Sequence, residues 1–194
     1  WKFIQEPSVR FASLQAGEVD VIESVPPESH EAARRNPDVE LIIAQRPGNP
    51  TNGTFNLRRA PFDDIRVREA FVRSADIEGA LKSVYFGEFP RAGGPLSVAT
   101  PFYNGDFERS QDYDPQRAAR LLDDAGWTAR DAQGYRTRNG KRLSAVVLIG
   151  ARTPPSELTL WEQVQATTRQ AGLELVIDQM SDAQVTARQA AWDY

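Results

Sequence analysis

The sequence predicts an α/β fold. Short apolar runs with alternating side chains are separated by segments of helical period, which is the order strand, helix, strand that needs crossover helices. Ser, Asp or Pro stand where the helices should start, and Gly stands where they should end. The composition is that of an ordinary globular protein, with 40% hydrophobic and 26% charged residues in a chain of 194.

Trp1 to Gln5 is expected as a short strand, followed by a helix with Ser8 as N-cap that carries Phe11 and Leu14 and stops at Gly17. Val19-Asp20-Val21-Ile22 is the next expected strand. Pro26-Pro27 introduces a short helix ending near Asn36-Pro37, and Val39 to Ile43 alternates as a third strand. Pro47-Gly48-Asn49-Pro50-Thr51-Asn52-Gly53 is dense in turn formers and marks a boundary or hinge, with Thr54 to Leu57 a brief extended piece behind it.

Asp63 or Asp64 then caps a helix whose buried face is Val67, Ala70, Phe71 and Ser74, and a second helix is expected from Ile77 to Tyr85. Gly87 to Gln111 has no period, and a stretch of that kind wraps a surface or serves a site. Asp114-Pro115 starts a helix that buries Ala118, Leu121, Leu122 and Ala125 and is closed by Gly126 and Trp127. A hairpin through Asn139-Gly140 is expected to join Tyr135-Arg136-Thr137 to Leu143–Ile149. A helix from Ser156 to Ala171 ends at Gly172. Leu173, Leu175 and Ile177 alternate as a strand, and Asp182 caps a last helix.

Composition removes whole classes of chemistry. There is no Cys and one His, so thiol chemistry, Fe–S ligation and Cys/His zinc sites lack their residues. A Ser-His-Asp triad would run through His30, which reads as a solvent-facing residue of a short polar helix. The formal charge is −4, from 23 basic and 27 acidic residues, which argues against nucleic acid. No apolar run approaches the roughly 18 to 20 residues that span a bilayer. The chain opens on Trp1-Lys2-Phe3-Ile4 and closes on Trp192-Asp193-Tyr194, and reads as a section of something longer.

Most polar clusters have a structural reading. In Pro61-Phe62-Asp63-Asp64-Ile65-Arg66-Val67-Arg68 one carboxylate caps a helix and the arginines pair locally or reach the hinge. Glu18 and Asp20 form a polar stripe, and Asp123-Asp124 is surface charge without the neighbours a hard cation needs. The doublets Arg34-Arg35 and Arg58-Arg59 are too short to track phosphates. Trp127 and Trp161 are core by spacing. Two features point to ligand binding. Asn52, Gly53, Thr54, Phe55 and Asn56 lie at the hinge, where extended backbone hydrogen-bonds an extended ligand by strand addition. The loop with Phe89, Arg91, Gly93, Gly94 and Phe102-Tyr103 is placed to line a cleft mouth; Arg91, Gly94 and Tyr103 are its candidate contacts. No catalytic residue, metal ligand or cofactor is assigned.

Several blocks occur in order: Leu14-Gln15-Ala16-Gly17-Glu18-Val19-Asp20-Val21-Ile22 with Val25-Pro26; Phe55-Asn56-Leu57 before Pro61-Phe62-Asp63-Asp64-Ile65-Arg66-Val67-Arg68-Glu69-Ala70; Ala75-Asp76; Tyr85-Phe86-Gly87; Gly94-Pro95; and Tyr113-Asp114-Pro115 leading to Leu121-Leu122 and Ala125-Gly126-Trp127. The ordered set resembles the extracellular solute-binding proteins of family 5, receptors for peptides, nickel complexes and some oligosaccharides that feed ABC importers. The resemblance implies a periplasmic-binding-protein type II-like fold, with residues 1–50 ending a first lobe, 51–60 crossing the hinge and 61–194 building most of a second lobe. It implies a non-catalytic receptor for an oligopeptide or dipeptide-like solute, located in the periplasm or lipid-anchored outside the membrane, with ABC permease transmembrane subunits as partners. A nickel-complex or oligosaccharide receptor is the alternative within the family. Outside it stand a non-catalytic interaction module and a hydrolase using Glu18, Asp20, Asp63 and Asp64, the latter without a nucleophile elbow or usable histidine.

Overall fold

A computed structural model describes residues 1–107 and 111–194; residues 108–110 of the long loop expected from Gly87 to Gln111 lie outside the described residues. The chain divides into two compact units, Trp1–Gln45 and Arg46–Tyr194.

The first unit holds α1 (Pro7–Gln15) and a 3-10 turn (Pro27–Ser29) that runs into α2 (His30–Arg35). Helix α1 starts two residues earlier than expected, on Pro7, with Glu6 as N-cap in place of Ser8 and no side-chain cap bond. Proline at the first helical position presets φ and has no N–H to satisfy, so Ser8 is not needed as a cap. At the other end Gly17 takes φ 71°, and the amides of Gly17 and Glu18 donate to Leu14 O and Ser13 O. This doubly bonded stop uses a left-handed residue that glycine adopts without a Cβ clash.

The three strands expected in this unit, at 1–5, 19–22 and 39–43, do not form. Apolar alternation makes a strand only where a neighbour takes up its N–H and C=O groups, and these runs have none among the described residues. Val21 and Ile42 are accordingly 84% and 77% exposed. His30 also departs from expectation. It is buried, and its Nε2–H donates to Val25 O at 3.1 Å, which closes the preceding turn.

The second unit contains α3 (Ile65–Ser74), α4 (Ile77–Tyr85), a 3-10 turn (Gly105–Phe107), α5 (Pro115–Asp124), β1 (Ala129–Arg130), β2 (Arg136–Arg138), β3 (Lys141–Arg142), β4 (Ser144–Gly150), α6 (Pro155–Gln170), β5 (Glu174–Met180) and α7 (Asp182–Ala190). Aspartates cap the three central helices: Asp64 accepts from Arg66 N, Asp76 from Gly79 N and Asp114 from Arg117 N. Helix α3 buries the face read from its spacing, Val67, Ala70, Phe71 and Ser74. It packs on α5, whose Ala118 and Leu122 are fully enclosed.

Helix α7 is capped by Ser181 in a reciprocal box with Gln184, not by Asp182. The Asp182 carboxylate is turned back to the Arg152 guanidinium and lies against Gly150.

The hairpin turn is as expected at Asn139 and Gly140, both left-handed at φ 52° and 72°, with Arg138 opposite Lys141. Its second strand stops after Arg142, however. Leu143 is the exchange point: its amide donates to Arg136 O in the hairpin, and its carbonyl accepts from Glu174 N at the start of β5. The chain therefore leaves the antiparallel sheet β1-β2-β3 and enters a parallel pair, β4-β5, in which Ala145 lies opposite Leu175. Helix α6 is the crossover. One face of the pair, with Ala145, Ile149 and Leu175, is buried, and α6 contributes Val164 and Thr168 to the interior. The core formed by α3, α5, α6 and this sheet face also takes in Trp127, Leu143 and Leu173.

Arg136 is the least expected core residue. It is 6% exposed, and its guanidinium donates to Ala171 O at the end of α6, Trp127 O and Ala119 O, and to the Asp123 carboxylate. Asp123, expected as surface charge, is its counter-ion. Arg136→Met leaves buried carbonyls without donors and is expected to lower the unfolding free energy by about 2–3 kcal/mol. The check is a urea midpoint that falls with an unchanged slope.

Asp64 supplies a pH-dependent element. Its carboxyl is held below the ordinary value of 3.8, chiefly by hydrogen bonds from the Arg66 side chain, against desolvation, with further help from the Arg66 amide. A depressed folded pKa stabilises fully above the unfolded value and is lost as pH falls through the carboxylate range. Asp64→Ala is therefore expected to melt lower than wild type near about pH 7, and the difference between the two should shrink as the pH is lowered through the carboxylate range.

Candidate functional site

The segment after Pro47 is shaped by what it lacks. Gly48, at φ 113°, is tied to the long loop: its amide donates to Thr100 Oγ1 at 2.9 Å and its carbonyl accepts from Ser97 N at 2.7 Å. Asn52 uses its side-chain amide to donate to Pro50 O, which braces the turn. From there the main chain of Asn52, Gly53, Thr54 and Phe55 forms no helix or strand, and its N–H and C=O groups have no partner among the described residues. Asn52, Gly53 and Thr54 are exposed. Such a strip offers hydrogen-bonding groups to another extended chain.

Both ends of the strip are fixed. Phe55 turns its ring into the core, 4.6 Å from Phe62 and edge-on to Phe71 at 5.5 Å. Asn56 is 3% exposed; its amide donates to Trp192 O and Tyr194 O, both at 2.9 Å, and its Oδ1 accepts from Arg58 N. Around this clamp the Arg58 guanidinium lies 3.9 Å from the centre of the Trp192 ring, and Arg59 pairs with Asp193 at 2.7 Å. The Asp193 carboxyl is held below the ordinary range first by Arg59 and then by Arg188. Trp192 itself sits at φ 55°, in the left-handed stop position after α7.

The remaining predicted contacts lie in the long loop. Arg91 is largely buried, and its guanidinium is occupied by the Asp112 carboxylate and Gln111 O. Gly94 has open space around it, and Tyr103 is half-buried with its amide donating to Thr100 O. The Gly48 bonds bring residues 97–100 to a point four residues before the strip. Arg91 instead borders a depression of about 430 Å³ with Lys82, Phe86 and Phe89, whereas Phe55 borders another of about 560 Å³ with Ile65, Arg68 and Arg117.

Of the carboxylates weighed for hydrolysis, Glu18, Asp20 and Asp63 are exposed and Asp64 is committed to its cap and to Arg66. Among the described residues no three His, Cys, Asp or Glu side chains gather as a metal site, and no helix is long and apolar enough to cross a membrane. Two participants escape sequence reasoning. Trp192 and Asp193 meet Asn56 and Arg59 across some 136 residues of chain, and no local pattern announces such a contact.

The sequence profile of the bacterial extracellular solute-binding proteins, family 5 (middle), matches residues 1–194. The chain belongs to this family. The nickel-binding periplasmic protein of Escherichia coli (strain K12) is 26% identical over 190 residues, covering 96% of this chain and 36% of that protein. The dipeptide-binding protein of the same organism is 31% identical over 122 residues, 62% of this chain and 22% of that protein. Among solved structures, NikA from Brucella suis in complex with Fe(III)-EDTA superposes with a TM-score of 0.79 at 25% identity, over 98% of this chain and 38% of that one. The fold is thus that of type II periplasmic binding proteins. The chain covers 22–38% of the length of these relatives.

The Asn56 clamp is open to a direct test. Asn56→Ala leaves two carbonyls and one amide unpaired and is expected to reduce stability by about 1–2 kcal/mol. Asn56→Asp, which sets an acceptor against two acceptors, is expected to be no milder. Thermal denaturation of both variants reads the difference.

Proposed function

We propose that the chain is the middle section of the substrate-binding component of an ABC-type importer, which captures an oligopeptide or dipeptide-like solute. Residues 1–50 end its first lobe, 51–60 cross the hinge and 61–194 build most of the second lobe. The observation that carries this reading is the strip Asn52–Phe55, whose main-chain groups are unpaired among the described residues and which is clamped at Asn56. A peptide presents the complementary row of donors and acceptors. The relative named for dipeptide binding supports the same solute class.

The mechanism is a population shift. Contacts made only in the closed receptor favour closure, so the solute moves the equilibrium by its differential affinity and no covalent step is involved. The receptor works outside the cytoplasm, either free or lipid-anchored, and hands its solute to the transmembrane subunits of a permease. A nickel-complex receptor is the second reading, favoured by the nickel-binding relative that matches nearly the whole chain.

Isothermal titration of the full-length receptor against a mixed peptide pool, nickel–histidine complexes and oligosaccharides separates these readings. Heat with peptides is expected, reduced when the peptides are N-methylated on the backbone, because methylation removes the donors the strip reads. Heat with nickel complexes alone transfers the assignment to the second reading. Silence toward all three overturns the receptor for peptides and its family alternatives together.

A further inference from the structure

Among the described residues the strip Asn52–Phe55 joins no sheet, so contacts other than a ladder hold its path. At Gly53 the structure supplies it: a Cβ built there would stand 2.9 Å from Cη2 and 3.4 Å from Cζ2 of Trp161. The outer edge of the indole thus lies directly against the main chain at Gly53. Trp161 is partly buried and packs on the core from α6, a helix anchored by the buried side chains of Val164 and Thr168. A planar ring on a packed helix is a stiff support, with few rotamers open to it. Gly53 has ordinary backbone torsion, so the requirement for glycine here comes from close approach and not from a left-handed φ.

We propose that Trp161 is a positioning residue for ligand binding: its indole is the floor beneath Gly53, holding the free main-chain groups of Asn52, Gly53 and Thr54 in register for an extended peptide. This rests on the peptide reading above and sharpens it. Because the floor excludes a side chain at position 53, the solute is read there through its backbone, and discrimination among side chains along this stretch is weak. The spacing-based assignment of Trp161 to the core accounts for its inner part and leaves its Cζ2–Cη2 edge to this second task.

The test is a double-mutant cycle in the full-length receptor, with penta-alanine as probe and two readouts. Gly53→Ala drives a methyl group into Cη2 and is expected to weaken penta-alanine about tenfold, in line with the strain of overpacking a tight contact. Trp161→Phe removes the Cζ2–Cη2 edge and shortens the floor, with a loss of about threefold expected. In the double variant the phenyl ring leaves room for the methyl group, so affinity should recover to about the level of Trp161→Phe alone. The thermal midpoint of the ligand-free protein is read for the same four proteins, and the same recovery is expected.

Equal affinity for wild type and Gly53→Ala overturns the proposal, as does a Gly53→Ala defect that Trp161→Phe does not relieve. If wild type gives no heat with penta-alanine or with any member of the peptide pool, the peptide reading fails. The floor is then judged on the ligand-free midpoints, where coupling between positions 53 and 161 supports it and additivity overturns it.

Discussion

The second unit is organised around one buried cation. The Arg136 side chain collects the carbonyl at the end of α6, one from the body of α5 and one just beyond it, while its own amide donates to Gly172 O and its carbonyl accepts from Leu143 N. Helix C-termini leave carbonyls unpaired and carry partial negative charge, so a guanidinium with several donors satisfies several of them at once. Every element that meets there must keep its place. Gly172 shows how tight the meeting is: it takes φ 89°, and a Cβ on it would lie 2.8 Å from Cγ and 3.2 Å from the amide nitrogen of Arg136. Here both backbone torsion and space demand glycine. The consequence reaches Leu143, which hands the chain from the hairpin to the parallel pair and so sets where β4 starts and where α6 can pack.

From that fixed core the functional segment is held at a distance by few contacts. Phe55 enters the aromatic cluster with Phe62 and Phe71, Asn56 binds two carbonyls near the end of the chain, and Trp161 backs Gly53. Between these anchors the main chain has no hydrogen-bond partner among the described residues. A protein that reads a solute through main-chain groups must keep them out of its own ladders, yet fix them well enough that they need not be ordered at each binding event. Side-chain anchors meet both demands. The side chains of Asn52, Phe55 and the adjoining Asn56 are accordingly spent on holding it in place.

Much of this was legible in the sequence where the physics is local. Asp64, Asp114 and the Asn139-Gly140 turn act within a few residues, and the faces of α3 and α5 follow from their spacing. Strands were legible only where their partners lie in the described chain: β5 forms because β4 is there to pair with it, whereas Val39–Ile43 has the same alternation and no partner strand among the described residues. Long-range polar contacts were not legible at all. Nothing near Arg136 distinguishes it from Arg138 two positions on, yet Arg136 is buried against carbonyls from α5 and the end of α6, while Arg138 takes the single Ala125 carbonyl and lies over the Trp127 ring. Trp161 was legible as a core residue but not as the support for Gly53, since that contact joins segments about a hundred residues apart in the chain. His30 failed for the opposite reason: its helix is polar enough to suggest exposure, and the turn it closes is set by Val25 behind it.

The length of the strip limits what it can contribute. A neighbouring strand pairs through alternate residues, so Asn52–Phe55 offers about four main-chain hydrogen bonds to one edge. At about 1 kcal/mol net for each, they supply about 4 kcal/mol, while micromolar affinity requires roughly 8 kcal/mol. Under the proposed function the strip would therefore orient a peptide and set its register, and the rest of the free energy would come from contacts elsewhere in the receptor. Main-chain bonds do not distinguish one peptide sequence from another. On that proposal the identity of the solute is decided by those other contacts, in keeping with a family whose relatives are named for solutes as different as dipeptides and nickel.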